Sequence, residues 1–281
     1  MRSVSDIFLC NKGSSPNLKA DLKASLGELV GMLIFIFLAL SGAQTSLRAP
    51  LPNLVGDGLS LTQIESISYS FGIGIAVALF VCAHISGGVL NPAVLLSLVL
   101  TGNINWLRGI FFFVAEIVGA IIGAYFARFI AAQNFQGANV LNTSYNYAQG
   151  FFLECLLTCV LCLTVLFVII DRRLLSDFAP LVVGVTVFVC HMIATPIDGT
   201  SINPARSFAA SVVTGRWSDH WIFWFGPLVG GIFAVMVYVS IKFLTEDLQI
   251  QGLLEAAKNQ TVLKDAKLDK EEEIDVIVMG V

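Results

Sequence analysis

Two asparagines, Asn91 and Asn203, are each followed by Pro-Ala in stretches that carry almost no charge, HISGGVLNPAV and GTSINPARSF. Asparagine is a good N-cap, because its side-chain oxygen accepts a hydrogen bond from a free N–H of the first helical turn. Proline fits the first helical position, where no N–H is needed. Each triplet therefore predicts the start of a helix and leaves an amide NH2 group, with two donors, to bind a small polar molecule. The triplets are Asn91, Pro92, Ala93 and Asn203, Pro204, Ala205.

The rest of the chain is apolar enough for a membrane protein. Its 281 residues are 56% hydrophobic and 13% charged, about half the charged share of soluble domains. A membrane span needs about 20 predominantly apolar residues. Two apolar segments that begin at the Asn-Pro pairs, 92–100 and 204–213, are too short to cross. Six other segments are long enough: residues 24–43, 67–83, 109–127, 150–170, 178–197 and 220–241.

The chain contains an internal repeat, covering about residues 20–130 and 145–245. When the two triplets are aligned, FGIGIAV lies over VGVTVFV, and further upstream Glu28 has its counterpart in Glu154. Each repeat holds three spans, an odd number, so the second repeat must insert upside down relative to the first. Inverted repeats of this kind form a site at the bilayer midplane, from broken helices whose N-termini point inward.

These features together predict a pore. Unwound backbone is tolerated at membrane depth only where it is buried in protein or lines a water-filled cavity. Two helix N-termini that meet there each carry about +0.5 charge, which opposes cations and protons. The two amides would bind both lone pairs of a passing water and so interrupt the hydrogen-bonded chain along which a proton could hop. We expect the backbone carbonyls of the pore at Gly87, Gly88, Val89, Gly199 and Ser201.

The stretches AHISGGVLNPAV, GTSINPARSF and HWIFWFGP resemble the signatures of aquaporins in the major intrinsic protein family. The resemblance covers about residues 20–245. It implies an all-α membrane protein with six transmembrane helices and two half-helices, an inverted internal repeat, one pore per chain and a homotetramer. It also implies a selectivity filter at the extracellular side, formed by Phe71, His191, Thr200 and Arg206. These four residue types resemble the filter of the water-selective branch.

The predicted function is a passive water-selective channel that excludes protons and ions. One alternative is a broader pore for neutral solutes such as glycerol, hydrogen peroxide or ammonia; the other is an adhesion or junction protein with a closed pore. The filter residues argue against the first, and the intact asparagine caps with Arg206 argue against the second. Water is the expected permeant and lipid the surroundings. No enzyme activity, cofactor, metal site or nucleic-acid partner is indicated, and the cysteines are explained by packing in apolar spans.

Three carboxylates lie within apolar segments, where a charge is costly and needs a reason. Glu28 and Glu154 hold matched places in the two repeats, so we expect both to accept hydrogen bonds from the unwound backbone before each half-helix. Glu116 stands where the family resemblance would suggest Gln. The sequence leaves three roles open for Glu116: a protonated hydrogen-bonding group, a contact with another subunit, or a pH-dependent gate.

The distribution of positive charge predicts the topology. Twelve Lys and Arg residues lie on the side of the termini and three on the opposite side, so both termini should be cytoplasmic, with the plasma membrane as the expected location. We divide the chain into a cytoplasmic N-terminal segment (1–20), a single channel domain (21–245) and an acidic cytoplasmic tail (246–281).

Three further residues are candidates for regulation or modification. His84 either lines a cytoplasmic gate or bonds to nearby loops, and its sequence leaves both open. Ser176 follows two arginines in DRRLLS, a pattern typical of basophilic kinase sites, so a phosphate there could gate the cytoplasmic mouth. Asn142 begins the sequon Asn-Thr-Ser in the long extracellular loop and is a candidate glycosylation site.

Overall fold

The computed structural model describes residues 17–48, 59–131, 135–171 and 177–245. The described residues up to 236 form one compact unit; of a second unit, residues 237–245 are described, as the last turns of a helix. Ser176, the neighbouring arginines and the acidic tail lie outside the described residues. The described ranges contain these helices: α1 Leu18–Arg48, α2 Leu61–Ser86, α3 Pro92–Leu100, α4 Trp106–Ile130, α5 Tyr147–Ile170, α6 Ala179–Asp198, α7 Pro204–Thr214 and α8 Ile222–Thr245.

Six of these helices, α1, α2, α4, α5, α6 and α8, are long and apolar enough to cross a membrane. The other two have 9 and 11 residues. At 1.5 Å per residue they reach about 14–17 Å, which is about half of the ~30 Å hydrocarbon core. The prediction of six spans and two half-helices in an inverted repeat is therefore confirmed.

The six long helices extend beyond most of the predicted spans, because polar caps lie outside the apolar windows from which the spans were predicted. Helix α2 begins after Ser60, whose hydroxyl accepts a hydrogen bond from Gln63 N–H while the Gln63 side chain accepts one from Ser60 N–H. Asn146 and Gln149 form the same capping box at the start of α5. Capping boxes of this kind satisfy two otherwise free donors, so each helix starts several residues before its lipid-depth core.

Glycines at matched places in the two repeats let the long helices pack closely. A Cβ atom built on Gly119 of α4 would lie 2.4 Å from the carbonyl oxygen of Leu29 in α1. A Cβ atom on Gly230 of α8 would lie 2.3 Å from the carbonyl oxygen of Cys155 in α5. Small residues at such crossings are typical of membrane helix pairs, since they allow the backbones to approach.

We expect Gly119→Ala to lower the thermal unfolding temperature in detergent, because the added methyl group meets backbone that cannot yield. Overpacking of this kind costs about 1–3 kcal/mol. Gly74→Ala is the matched control: it is also helical, but its added Cβ would meet nothing nearer than 3.5 Å. Since alanine favours helix over glycine by about 1 kcal/mol, the control should unfold no earlier than the wild type. Equal unfolding temperatures for the two variants would contradict this account of the crossing.

Candidate functional site

The two half-helices are each capped by the asparagine that precedes their first proline. Asn91 Oδ1 accepts a hydrogen bond from Ala93 N–H at 2.9 Å. Asn203 Oδ1 accepts from Ala205 N–H at 3.1 Å and from Arg206 N–H at 3.3 Å. Both asparagines have extended backbone, the conformation usual for an N-cap. The local sequence alone is therefore enough to place each cap.

The caps also join the two half-helices tip to tip. Asn91 Nδ2 donates to the carbonyl oxygen of Ile202 at 2.7 Å, and Asn203 Nδ2 donates to that of Leu90 at 2.8 Å. An amide NH2 has two hydrogens, so one hydrogen of each amide locks the partner segment and one remains. The remaining pair is what the site offers to a molecule beside it.

A carboxylate holds the segment that leads into each cap. Glu28 Oε1 and Oε2 accept from the N–H groups of Val89 at 3.0 Å and Leu90 at 2.8 Å. Leu90 has a φ of 50°, a left-handed conformation that is costly for a non-glycine residue. The two charge-assisted hydrogen bonds offset that cost and turn the N–H groups of the segment toward α1.

The second repeat uses the same arrangement. Glu154 Oε1 and Oε2 accept from the N–H groups of Ser201 at 2.6 Å and Ile202 at 2.7 Å. Ile202 has a φ of 44°, although β-branched residues rarely adopt positive φ. Glu28 and Glu154 have no exposed surface, so each carboxyl group serves the backbone and nothing outside the protein.

A narrow cavity lies beside the two caps. Asn91 and Asn203 contribute to its wall, as do the glycines Gly87 and Gly88 before the first cap. It has a volume of about 40 Å³ available to water, which is room for about three waters at roughly 10–15 Å³ each. The rest of the wall is largely apolar, and its side chains include Phe35, Ile75, Leu79, Val94, Val183 and Val187. A few waters in single file, bound at the amides, fit this space.

One turn of the cavity wall has a conformation that the sequence did not predict. Val165–Ile170, at the end of α5, is a π-helix, in which Asp171 N–H donates to the carbonyl oxygen of Leu166. Val165 and Ile169 of this turn belong to the cavity wall, as does Leu161 one turn earlier. Such turns often occur at functional sites.

The four predicted filter residues are buried, and three are in direct ring contact. The rings of Phe71 and His191 stack with centroids 4.1 Å apart and an interplanar angle of 22°, and the Arg206 guanidinium lies 4.8 Å from the Phe71 centroid. No water fits between rings at this distance, so a solute must pass along their edges or displace the Phe71 ring. Thr200 Oγ1 lies 3.2 Å from Thr195 Oγ1. Among the four, His191 alone belongs to the wall of the cavity.

One nitrogen of the His191 ring is left without a partner in the described part of the chain. His191 Nδ1 lies 2.9 Å from the carbonyl oxygen of Val187, which can only accept, so Nδ1 carries the hydrogen. In a neutral imidazole the other nitrogen, Nε2, is then an acceptor. It is buried and has no hydrogen-bond partner among the described residues, so it can accept a hydrogen from a water.

Besides Gly199, whose carbonyl was predicted to lie in the pore, Arg206 is held by two residues that the sequence did not single out. Its Nη1 donates to the carbonyl oxygen of Gly137 at 3.0 Å and to Asn139 Oδ1, and its Nη2 donates to the carbonyl oxygen of Gly199 at 3.3 Å. Ser207 Oγ donates to the same Asn139 oxygen at 2.8 Å. Gly137 and Asn139 belong to the loop between α4 and α5, so the guanidinium is positioned by contacts about 70 residues away in sequence that carry no local signal.

The remaining candidates lie apart from the cavity. His84 is exposed and does not belong to the cavity wall. Asn142 is exposed, and its Oδ1 accepts from Ser144 N–H at 2.9 Å. Within the described ranges, no group of three His, Cys, Asp or Glu side chains could hold a metal ion.

Six membrane-spanning helices, an inverted repeat and two half-helices that meet at capped N-termini beside a narrow cavity define a membrane channel. Residues 15–238 match the family described as Major intrinsic protein, and the chain belongs to that family of integral, multi-pass membrane channels, which are not enzymes.

Relatives with known names agree with this assignment. The chain is 33% identical over 258 residues to "Aquaporin-2" of Botryotinia fuckeliana, covering 91% of this chain and 68% of that protein. It is 37% identical over 220 residues to "Aquaporin-1" of Canis lupus familiaris, covering 77% and 80%. The crystal structure of the aquaglyceroporin from Plasmodium falciparum is similar with a TM-score of 0.68 at 22% identity, over 81% of this chain and 99% of that one. At this identity the likeness concerns the fold alone.

Proposed function

We propose that this channel conducts water passively and excludes protons, ions and glycerol. The observation that carries the proposal is the reciprocal pair of amides, Asn91 and Asn203, each locked by one hydrogen to the opposite half-helix. The two hydrogens left over come from opposite sides and can both be accepted by one water oxygen. A neutral molecule with two lone pairs on one small atom fits this site best.

The order of hydrogen bonds favours transport of water without protons. A water that accepts from both amides points its own hydrogens along the channel. It then cannot pass a proton to the next water, because its oxygen has no lone pair left to receive one. The two helix N-termini at the same point add about half a positive charge each, which repels a cation in a site shielded from solvent.

The filter residues support selection against larger solutes. His191 and Arg206 both lie within 5 Å of the Phe71 ring, and glycerol is wider than water. Arg206 is a fixed cation held by three carbonyl or amide oxygens, and pore arginines of this kind act against protons and cations. His191 Nε2 adds an acceptor for water.

Stopped-flow light scattering on proteoliposomes tests the proposal. We expect shrinkage under an osmotic gradient to be much faster than in empty liposomes, with a low activation energy. Glycerol uptake and the decay of an imposed pH gradient should match those of empty liposomes. Each flux is normalised to the amount of protein incorporated.

The same measurements distinguish the alternatives. Rapid glycerol or hydrogen peroxide entry would replace the proposal by a broader neutral-solute pore. Water flux equal to that of empty liposomes would favour a closed-pore adhesion protein. Proton flux through the wild type would contradict the amide mechanism.

We also propose the setting in which the channel works. The channel domain covers residues 21–245, between a cytoplasmic segment 1–20 and an acidic tail 246–281. The excess of Lys and Arg on the side of the termini supports cytoplasmic termini, and we place the chain in the plasma membrane as a homotetramer, on the family resemblance. The exposure of Asn142 supports glycosylation at this residue. Expression in a host with a secretory pathway should then add mass to the protein, and treatment with an amidase that removes N-linked glycans should take this mass away.

A further inference from the structure

The backbone N–H groups that lead into the two caps are satisfied differently in the two repeats. In each repeat a glutamate accepts from the first two N–H groups, as described above. The third N–H belongs to the capping asparagine itself. Asn91 N–H donates to Glu116 Oε1 at 3.1 Å, whereas Asn203 N–H donates to Ser201 Oγ at 3.4 Å.

The alignment of the two repeats explains why Asn91 N–H and Asn203 N–H have different acceptors. Counting back from the caps, Ser201 corresponds to Val89, which has no hydroxyl group. Gly119 and Gly230 make equivalent contacts with α1 and α5, so Glu116, three residues before Gly119, corresponds to Pro227. Proline has no polar side-chain atom. Each repeat therefore holds one acceptor for its third N–H, in a different place, and Glu116 supplies what Val89 lacks.

The surroundings of Glu116 require it to be neutral. It has no exposed surface, and its Oε2 has no hydrogen-bond partner among the described residues. A second buried carboxyl group, that of Glu28 in α1, accepts from the adjacent nitrogen, Leu90 N. Two buried negative charges side by side, one with an oxygen unpaired, would be far more costly than one charge and one protonated acid.

We propose that Glu116, as a neutral carboxylic acid, is the positioning residue of Asn91: it holds the backbone of the cap so that the Asn91 amide reaches the second half-helix. The functional part of this inference rests on the proposed water conduction. A neutral group also matters for selectivity, because a charge on Glu116 would add to that of Glu28 beside the first cap and weaken the positive potential of the two helix N-termini.

Three variants test the positioning role. Glu116→Gln keeps an acceptor for Asn91 N–H without a charge and should retain most of the water permeability. Glu116→Leu leaves Asn91 N–H buried and unpaired, and we expect water permeability per channel to fall about tenfold, the effect of losing one buried hydrogen bond. Adding Val89→Ser to Glu116→Leu restores a hydroxyl at the place of Ser201 and should recover at least half of the loss. Thermal unfolding in detergent should follow the same order.

An infrared spectrum tests the protonation state separately. The difference between wild type and Glu116→Gln should contain the carbonyl stretch of one protonated carboxylic acid, at neutral pH. Wild-type permeability in Glu116→Leu, no recovery by Val89→Ser, or no protonated-acid band would each overturn the inference. If the wild type conducts no water, the proposed function fails, while the band and the order of unfolding temperatures still decide the role of Glu116.

Discussion

Glu154→Leu should yield little folded channel, and what folds should conduct little water. The substitution removes both acceptors from the N–H groups of Ser201 and Ile202, two buried residues. Each unpaired buried donor costs about 1–3 kcal/mol, so the total of about 2–6 kcal/mol is a large part of the roughly 5–15 kcal/mol by which folded proteins are stable. Size-exclusion chromatography and thermal unfolding in detergent measure the loss.

A graded series separates hydrogen bonding from charge and bulk. Glu154→Gln offers one amide oxygen and should lose about half as much stability, since its NH2 group opposes the second N–H. Glu28→Leu removes the equivalent acceptors from the first repeat and should behave like Glu154→Leu. Glu65→Leu, at a half-buried carboxylate near the start of α2, is the matched control and should unfold near the wild-type temperature. Wild-type stability in Glu154→Leu would show that the carboxylate does not hold the segment.

The half-helices show where local sequence is sufficient. Proline at the first position and asparagine before it depend only on neighbouring residues, so α3 begins and ends at the predicted residues, and α7 ends one residue later than predicted. The long helices were predicted from apolar windows, which show where lipid contacts the chain but not where a helix ends. Their starts depend on polar caps such as Ser60 and Asn146, which lie directly before the helices and outside the apolar windows.

The parts of the site that the sequence did not predict depend on contacts between distant segments. Asn139 lies in a loop of ordinary composition, and its contact with Arg206 exists only once α4, α5 and α7 are assembled. The stacking of Phe71 on His191 joins α2 to α6 and has no local signal. The π turn in α5 likewise has no local signal, because apolar runs such as VLFVII are also found in α-helices. By contrast, the shared role of Glu28 and Glu154 could be predicted from the sequence, because the repeat places both at matched positions.

The second large effect concerns the filter. We expect the double variant His191→Ala, Arg206→Val to conduct glycerol at least about tenfold faster than the wild type. Differences in steric fit and in buried polar contacts change the discrimination between solutes by several kcal/mol. The imidazole fills the space directly against the Phe71 ring, and the guanidinium covers that ring from 4.8 Å. Removing both leaves a wider opening whose remaining wall, Phe71 and Thr200, cannot close it. Stopped-flow glycerol uptake into proteoliposomes measures the change.

The single variants assign the two functions to different side chains. His191→Ala should raise glycerol flux with little cation leak, because Arg206 keeps its charge and its bonds to Gly137 and Asn139. Arg206→Val should raise proton and sodium flux more than glycerol flux, because it removes the fixed positive charge while the imidazole still narrows the opening. Val185→Ala, on the exposed face of the same helix as His191, controls for the effect of truncating an α6 side chain and should change neither flux. A double variant that excludes glycerol as well as the wild type does would mean that the narrowest point lies elsewhere, at the paired amides themselves.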